Sequence, residues 1–246
     1  MYSPKGNGKD KSFPTVQFSE AEPPQHLRGV VHRFLDLKTD GELHKDYEFH
    51  ALPDACTYLV FDQHNVDVTG VSKLRAESQE FNLGRTFHFV NIRFLPGVWL
   101  GDLEQIAYGL VDTPYAGDLP LKDLNAQITG LEFENQQELL CQFVETLIEQ
   151  GLLAPNPAIE NILNNLDNIH NVADMAEISK LSTRQLQRTL KRTTGFPPHD
   201  FLKILRLQQS INGQDIWSYA DQSHFINSFR KATGYSPGKY SKKYDV

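Results

Sequence analysis

Only two cysteines, Cys56 and Cys141, occur in 246 residues, and they share no paired spacing. That excludes a disulfide scaffold and a cysteine-rich zinc site, and it fits a reducing cytoplasm. Long apolar runs are missing as well. Stretches such as Tyr58-Leu59-Val60-Phe61 are far too short to cross a bilayer, so no membrane association is expected. Residues 1–15 (MYSPKGNGKDKSFPT) carry basic charge with no apolar run behind it, which predicts no secretory signal. There is no nucleotide-binding glycine pattern and no Gly-x-Ser-x-Gly elbow. His44, His50, His64 and His88 fall in one region without a His-x-His pair or a compact His/carboxylate cluster. No catalytic residue, metal ligand or cofactor is therefore assigned, and the chain does not read as an enzyme.

What is present is ordinary soluble composition, 39% hydrophobic and 22% charged. The net charge of −7 is unevenly spread. Residues 1–159 hold 12 Lys+Arg against 23 Asp+Glu, whereas residues 160–246 hold 12 against 8. Within 180–243 the 12 basic residues face only Asp200, Asp215 and Asp221. Such asymmetry predicts an acidic domain joined to one that binds a polyanion, against the blander reading of a merely solvated basic face.

The fold class read from the pattern is α+β. Thr57–Phe61, Val66–Val71 and Phe87–Phe94 are rich in β-branched and aromatic residues and predict strands, so residues 47–96 form a β-rich module. Residues 1–25, polar and dotted with proline, are expected to be poorly ordered at their start. Asn135–Gln150 predicts an amphipathic helix whose apolar face, including Leu140 and Leu147, serves an oligomer interface or the internal core. Helical periodicity breaks at Gly151–Pro157. The division that follows is residues 1–150 as a β-rich sensor or dimerisation domain, 151–158 as a linker, and 159–246 as an all-α domain. Cys56 reads as a buried structural thiol. Arg93, in an otherwise apolar strand, would pair with an acidic ligand or an internal carboxylate.

The basic half repeats itself at an offset of 39 residues. Leu186, Leu190, Lys191, Arg192, Thr194, Gly195, Phe196, Pro198 and Phe201 fall on Phe225, Phe229, Arg230, Lys231, Thr233, Gly234, Tyr235, Pro237 and Tyr240. Each copy predicts a capped helix. Ser182 with Gln185 forms a capping-box pattern, Asp221 with His224 stands at the same place, and Gly195 and Gly234 suit a left-handed helix end. Arg184, Gln187, Arg188 and Lys191 share one polar face of the first helix; Gln222, Ser223, Asn227 and Arg230 nearly repeat it in the second. Arg and Gln can bond two atoms of a guanine or adenine edge. Val172–Lys180 predicts a short helix ahead of the first copy, which completes a helix-turn-helix order. A plain α-bundle with a charged face is the competing account.

At LSTRQLQRTLKRTTGFPPHDFLKILRLQ and DQSHFINSFRKATGYSPGKY the chain resembles the AraC/XylS family of bacterial transcription regulators, over about residues 169–240. LPDACTYLVF and the NIRFLPG segment resemble, more loosely, a sensor domain of some members. The resemblance implies two helix-turn-helix units, joined by a linker helix, in successive major grooves of double-stranded DNA. It implies base reading by Arg184, Gln187 and Arg188 and by Gln222, Ser223, His224 and Asn227, with Ser182 and Lys191 as phosphate or capping residues. His224 reads equally as a support of the cap. A small-molecule effector at unknown residues, RNA polymerase and a homodimer partner are compatible with it, as is a cytoplasmic location. One departure concerns the second unit. Between Arg206 and Asp221 lie only 14 residues, so its supporting helix must be compressed into Ile211–Ala220, with Gly213 weakening it and Trp217 and Tyr219 filling volume. A degenerate helical half attached to an enzyme or ligand-sequestering domain is the alternative function.

Overall fold

A computed structural model describes residues 2–72, 74–101, 113–212 and 222–245, with the side chains of Gln222 and His224 outside that set. The β-rich part begins forty residues earlier than the sequence pattern indicates. Strands β1 (Asn7–Asp10) and β2 (Val16–Ala21) lie within residues 1–25, whose start is expected to be poorly ordered. β1 (NGKD) has no apolar side chain, and β2 (VQFSEA) alternates only through Val16 and Phe18, too short a pattern to mark a strand. Backbone pairing holds them: β2 runs antiparallel to β3 (Val31–Thr39) from Val16↔Thr39 to Ala21↔Phe34. Tyr2 is buried ahead of β1, and its hydroxyl donates to the Asp54 carbonyl at 2.7 Å.

Further along come β4 (Glu48–Ala51), β5 (Tyr58–Asp62), β6 (Thr69–Val71), β7 (Gln79–Asn82) and β8 (His88–Phe94). They build two antiparallel sheets, one in the order β2-β3-β8-β5-β6. The other runs β7-β4-β1-β9, where β9 (Tyr244–Asp245) comes from the opposite end of the chain. The helical half is thus not purely α.

Period-two alternation divides the labour of the larger sheet. Val90, Ile92 and Phe94 of β8, with Leu59 and Phe61 of β5, point into a core shared with α1 (Leu121–Ile128) and α2 (Phe133–Glu149). Phe89, Asn91 and Arg93 point the other way, into a cavity between the sheets. Leu140, Phe143, Val144 and Leu147 of α2 are buried in that same core. The apolar face of this helix is therefore internal and does not serve as an oligomer surface. The sheet supplies the greasy partner that the helix pattern alone leaves unnamed.

Gly151, at φ +72°, follows α2. Then come α3 (Pro157–Asn164), α4 (Val172–Ile178), α5 (Thr183–Thr194), α6 (Pro198–Ile211), α7 (Gln222–Thr233) and α8 (Pro237–Lys243). The two halves share cores. Tyr2, Ala55 and Cys56 pack among Ile159, Met175, Leu186 and Leu205, while Leu52 packs among Leu207, Phe225, Phe229, Tyr240 and Tyr244. No helix among the described residues is long and apolar enough to cross a membrane.

Candidate nucleic-acid interface

The first helical unit is assembled by caps and apolar stripes. Asn171 accepts from the Ala173 and Asp174 backbone N–H groups at 2.7 and 3.2 Å, and Asp174 accepts from the Asn171 N–H at 3.1 Å. That reciprocal capping box starts α4. The turn after α4 passes through Lys180 at φ +57°, a left-handed position that a non-glycine residue adopts at some cost. Ser182 then opens α5 with a second capping box: its N–H donates to Gln185 Oε1 at 2.9 Å and its Oγ accepts from the Gln185 N–H at 3.3 Å. This is the box expected from the sequence. Leu186 and Leu190 are fully buried against Met175, Phe201, Leu202 and Leu205, each contributing about 2 kcal/mol of apolar burial.

The opposite side of α5 is bare. Arg184, Gln187, Arg188, Lys191 and Arg192 are all exposed. Among the described residues, the ion pairs that involve residues 159–246 are Lys203–Asp200 and Lys11–Asp245. Arg184, Arg188 and Arg192 therefore keep guanidinium groups with no carboxylate partner among the described residues. Lys191 differs from them: its ammonium donates to the Gly195 carbonyl at 2.9 Å, satisfying an orphan acceptor at the helix end. Its role in this structure is capping.

The described part of the second unit repeats the first. α7 begins and ends 39 residues after α5, and α8 begins 39 residues after α6. Gly195 and Gly234 are both left-handed, at φ +73° and +78°. Thr194 donates its hydroxyl to the Leu190 carbonyl at 2.7 Å and accepts from the Phe196 N–H at 3.2 Å. Thr233 does the same with Phe229 and Tyr235, at 2.8 and 3.3 Å. Phe225 and Phe229 are buried, while Ser223, Asn227, Arg230 and Lys231 are exposed on the other side of α7. The side chains of Gln222 and His224 lie outside the described residues, as do Asp221 and the segment with Gly213, Trp217 and Tyr219 assigned to the supporting helix.

The linker helix carries a residue that pattern reading passes over. Gln208 of α6 is fully buried. Its Oε1 accepts from the Lys5 N–H at 2.7 Å, and its Nε2 donates to the carbonyls of Pro53 and Lys5 at 2.7 and 3.1 Å. A glutamine carries no sequence mark that distinguishes this duty from a surface position. Arg206 donates to the His170 carbonyl and so ties α6 to the entry of α4.

Away from the helices, the cavity between the sheets has a volume of about 120 Å³ and mixes apolar walls, such as Phe18, Leu37 and Phe89, with Arg93. Arg93 is buried; its Nε donates to His32 Nδ1 at 2.9 Å and its Nη2 to Glu20 at 3.2 Å. The internal-carboxylate reading thus describes part of its bonding. Asn7 Nδ2 and Asn91 Oδ1, on residues that line the cavity, have no hydrogen-bond partner. Cys56 is buried, and burial pushes its thiol pKa up, so it is a poor nucleophile. His88 bonds Asp36 at 2.7 Å, with His64 beside it, ring centroids 6.4 Å apart. Among the described residues no group of three His, Cys, Asp or Glu side chains is placed to hold a metal.

No family model and no curated protein matches the chain. A solved structure of ToxT from Vibrio cholerae is similar at a TM-score of 0.43 and 10% sequence identity, over 94% of this chain and 98% of that one.

Proposed function

We propose that this protein is a sequence-specific DNA-binding transcriptional regulator. Residues 159–246 form its DNA-binding part, residues 1–150 its sensor part, and residues 151–158 the connection. The observation that carries the reading is the duplicated unit with a bare polar helix face. Two helices of equal length, ended alike, each bury one apolar stripe, and among the described residues the opposite stripe makes no ion pair. These exposed guanidinium groups, paired with no carboxylate among the described residues, have their donors available to phosphates and base edges. Arg184, Gln187 and Arg188 read bases in the first unit. Gln222, Ser223, His224 and Asn227 are their counterparts in the second. Arg230, Lys231 and Lys203 contact phosphates and set register.

The cavity between the sheets is where a small effector would sit. What supports this is a guanidinium and two orphaned amide atoms among apolar walls. A homodimer would need a surface other than the apolar face of α2, which is buried.

Selection of bound sequences from a random duplex pool tests the reading. Arg188→Ala and Gln187→Ala are each expected to weaken specific binding by about 1–3 kcal/mol and relax preference at one base position. Lys231→Ala is expected to weaken all sequences alike and to lower the salt dependence of binding. An unchanged motif with Arg188→Ala refutes the assignment of α5.

A further inference from the structure

Strand β1 serves two parts of the molecule through its two faces. Asn7 and Lys9 line the cavity. Gly8 faces the helical half: a Cβ there would lie 2.4 Å from the Tyr240 hydroxyl and 2.9 Å from the Tyr244 ring. Only a residue with no side chain lets these tyrosines close on the strand. One edge of β1 pairs with β4, and the other pairs with β9 through Lys9↔Asp245 and Asp10↔Tyr244. Lys11 extends the seam. Its N–H donates to the Lys243 carbonyl at 3.0 Å, and its ammonium reaches the Ser241 carbonyl at 2.8 Å and Asp245 at 3.1 Å.

Other parts of the same sheet reach α7 and α8. His50 of β4 is buried, stacks on Tyr244 with ring centroids 4.8 Å apart, and lies with Nε2 3.1 Å from the Thr233 carbonyl at the end of α7. The Ser78 N–H, just ahead of β7, donates to the Ala232 carbonyl of α7 at 2.7 Å. The Tyr235 hydroxyl donates to Glu80 of β7 at 3.0 Å. Behind α7, Phe225 and Phe229 pack with Leu52, Leu207, Tyr240 and Tyr244.

In the first unit α5 leans on α4 and α6. In the second, the buried stripe of α7 leans on a surface that the N-terminal sheet helps to build. We propose that the sheet β7-β4-β1-β9 is the positioning support of α7, with Gly8, His50, Tyr240 and Tyr244 setting the angle at which Ser223, Asn227 and Arg230 meet DNA. The inference rests on the DNA-binding reading above and extends it, because it makes an N-terminal sheet part of the base-reading apparatus. None of the four touches DNA; they act through the helix they hold. A strand that lines the cavity on one face and seats these tyrosines on the other also joins the two places that a regulator must connect.

Sequence selection with the full chain tests this, scored separately for the two half-motifs. Tyr244→Ala and Gly8→Ala are expected to lower base discrimination in the half read by α7 by about tenfold, the scale of one good base contact, and to leave the half read by α5 unchanged. Tyr244→Phe, which keeps the ring, is expected to restore it. Lys11→Glu places like charge against Asp245 on the surface, where folding tolerates it, and is expected to give a smaller loss confined to the same half. It carries the test if the core variants fail to fold. Both half-motifs intact in the variants that fold, or both weakened alike, overturns the proposal. A wild-type chain with no sequence preference at any salt instead refutes the DNA-binding reading on which it rests.

Discussion

Replacing Gln208 by methionine removes a junction without removing volume. The side chain makes three hydrogen bonds to main chain from two distant segments, all within 3.1 Å. Methionine can replace none of them. The Pro53 carbonyl sits in a buried stretch, so losing its partner costs close to the full desolvation penalty, about 1–3 kcal/mol. The Lys5 groups are only partly buried and regain water, so each adds about 0.5 kcal/mol. The expected loss is about 3 kcal/mol of unfolding free energy, a substantial share of the roughly 5–15 kcal/mol that holds a typical domain. Urea unfolding monitored by circular dichroism reads it directly, as a shift of midpoint at constant slope. The neighbouring Gln209 supplies the control. Its amide donates to Asp167 at 3.0 Å on the exposed side of α6, so Gln209→Met is expected to cost less than about 0.5 kcal/mol. If Gln208→Met costs less than about 1 kcal/mol, the three bonds do not secure the linker helix, and the reasoning fails.

Acid should destabilise the fold through His32, whose pKa is lowered from 6.5 to about 3 by burial and by the charges of Arg93 and Arg33. Between those values the unfolded chain takes up a proton that the folded chain refuses, so stability falls as pH drops below 6.5, by up to about 1.4 kcal/mol per unit. His32→Asn, which can still accept from Arg93, is expected to flatten this limb in urea midpoints compared at pH 7 and 5; parallel falls in both proteins would argue against it. Leu140→Ala in the shared sheet–helix core is expected to cost about 2–5 kcal/mol while leaving the sedimentation mass unchanged. A change of mass without loss of stability would return α2 to the surface.

What the sequence discloses about this chain is what short-range chemistry writes. Ser182 with Gln185, Gly195 with Gly234 and the paired prolines mark helix ends because each acts on main chain a few residues away. The duplicated unit is legible for that reason. Strands β5 and β8 are legible because burial against α1 and α2 on one face makes them rich in β-branched and aromatic residues. Strands β1 and β2 escape because their stability comes from backbone bonds to partners far along the chain, and such bonds leave no signature in side chains such as those of NGKD. The face of α2 looks alike whether a sheet or a second molecule covers it. Gln208 and His50 escape for a related cause: their hydrogen-bond partners are main-chain groups, and any residue type supplies those.

The seam between β1 and β9 fixes an order of events during folding. Its Lys11–Ser241 contact spans 230 residues of chain. Closing so long a loop directly is entropically costly and slow, so the seam forms after the cores between have drawn its ends together. Until residue 245 has been synthesised, β1 has an unpaired edge and the tyrosine cluster has no floor. A partly made chain can therefore complete its first helical unit, from Asn171 through α6, well before its second is seated. A chain cut before Tyr244 therefore loses both the β9 partner of β1 and the ring on which His50 stacks, and α7 loses part of its apolar seat.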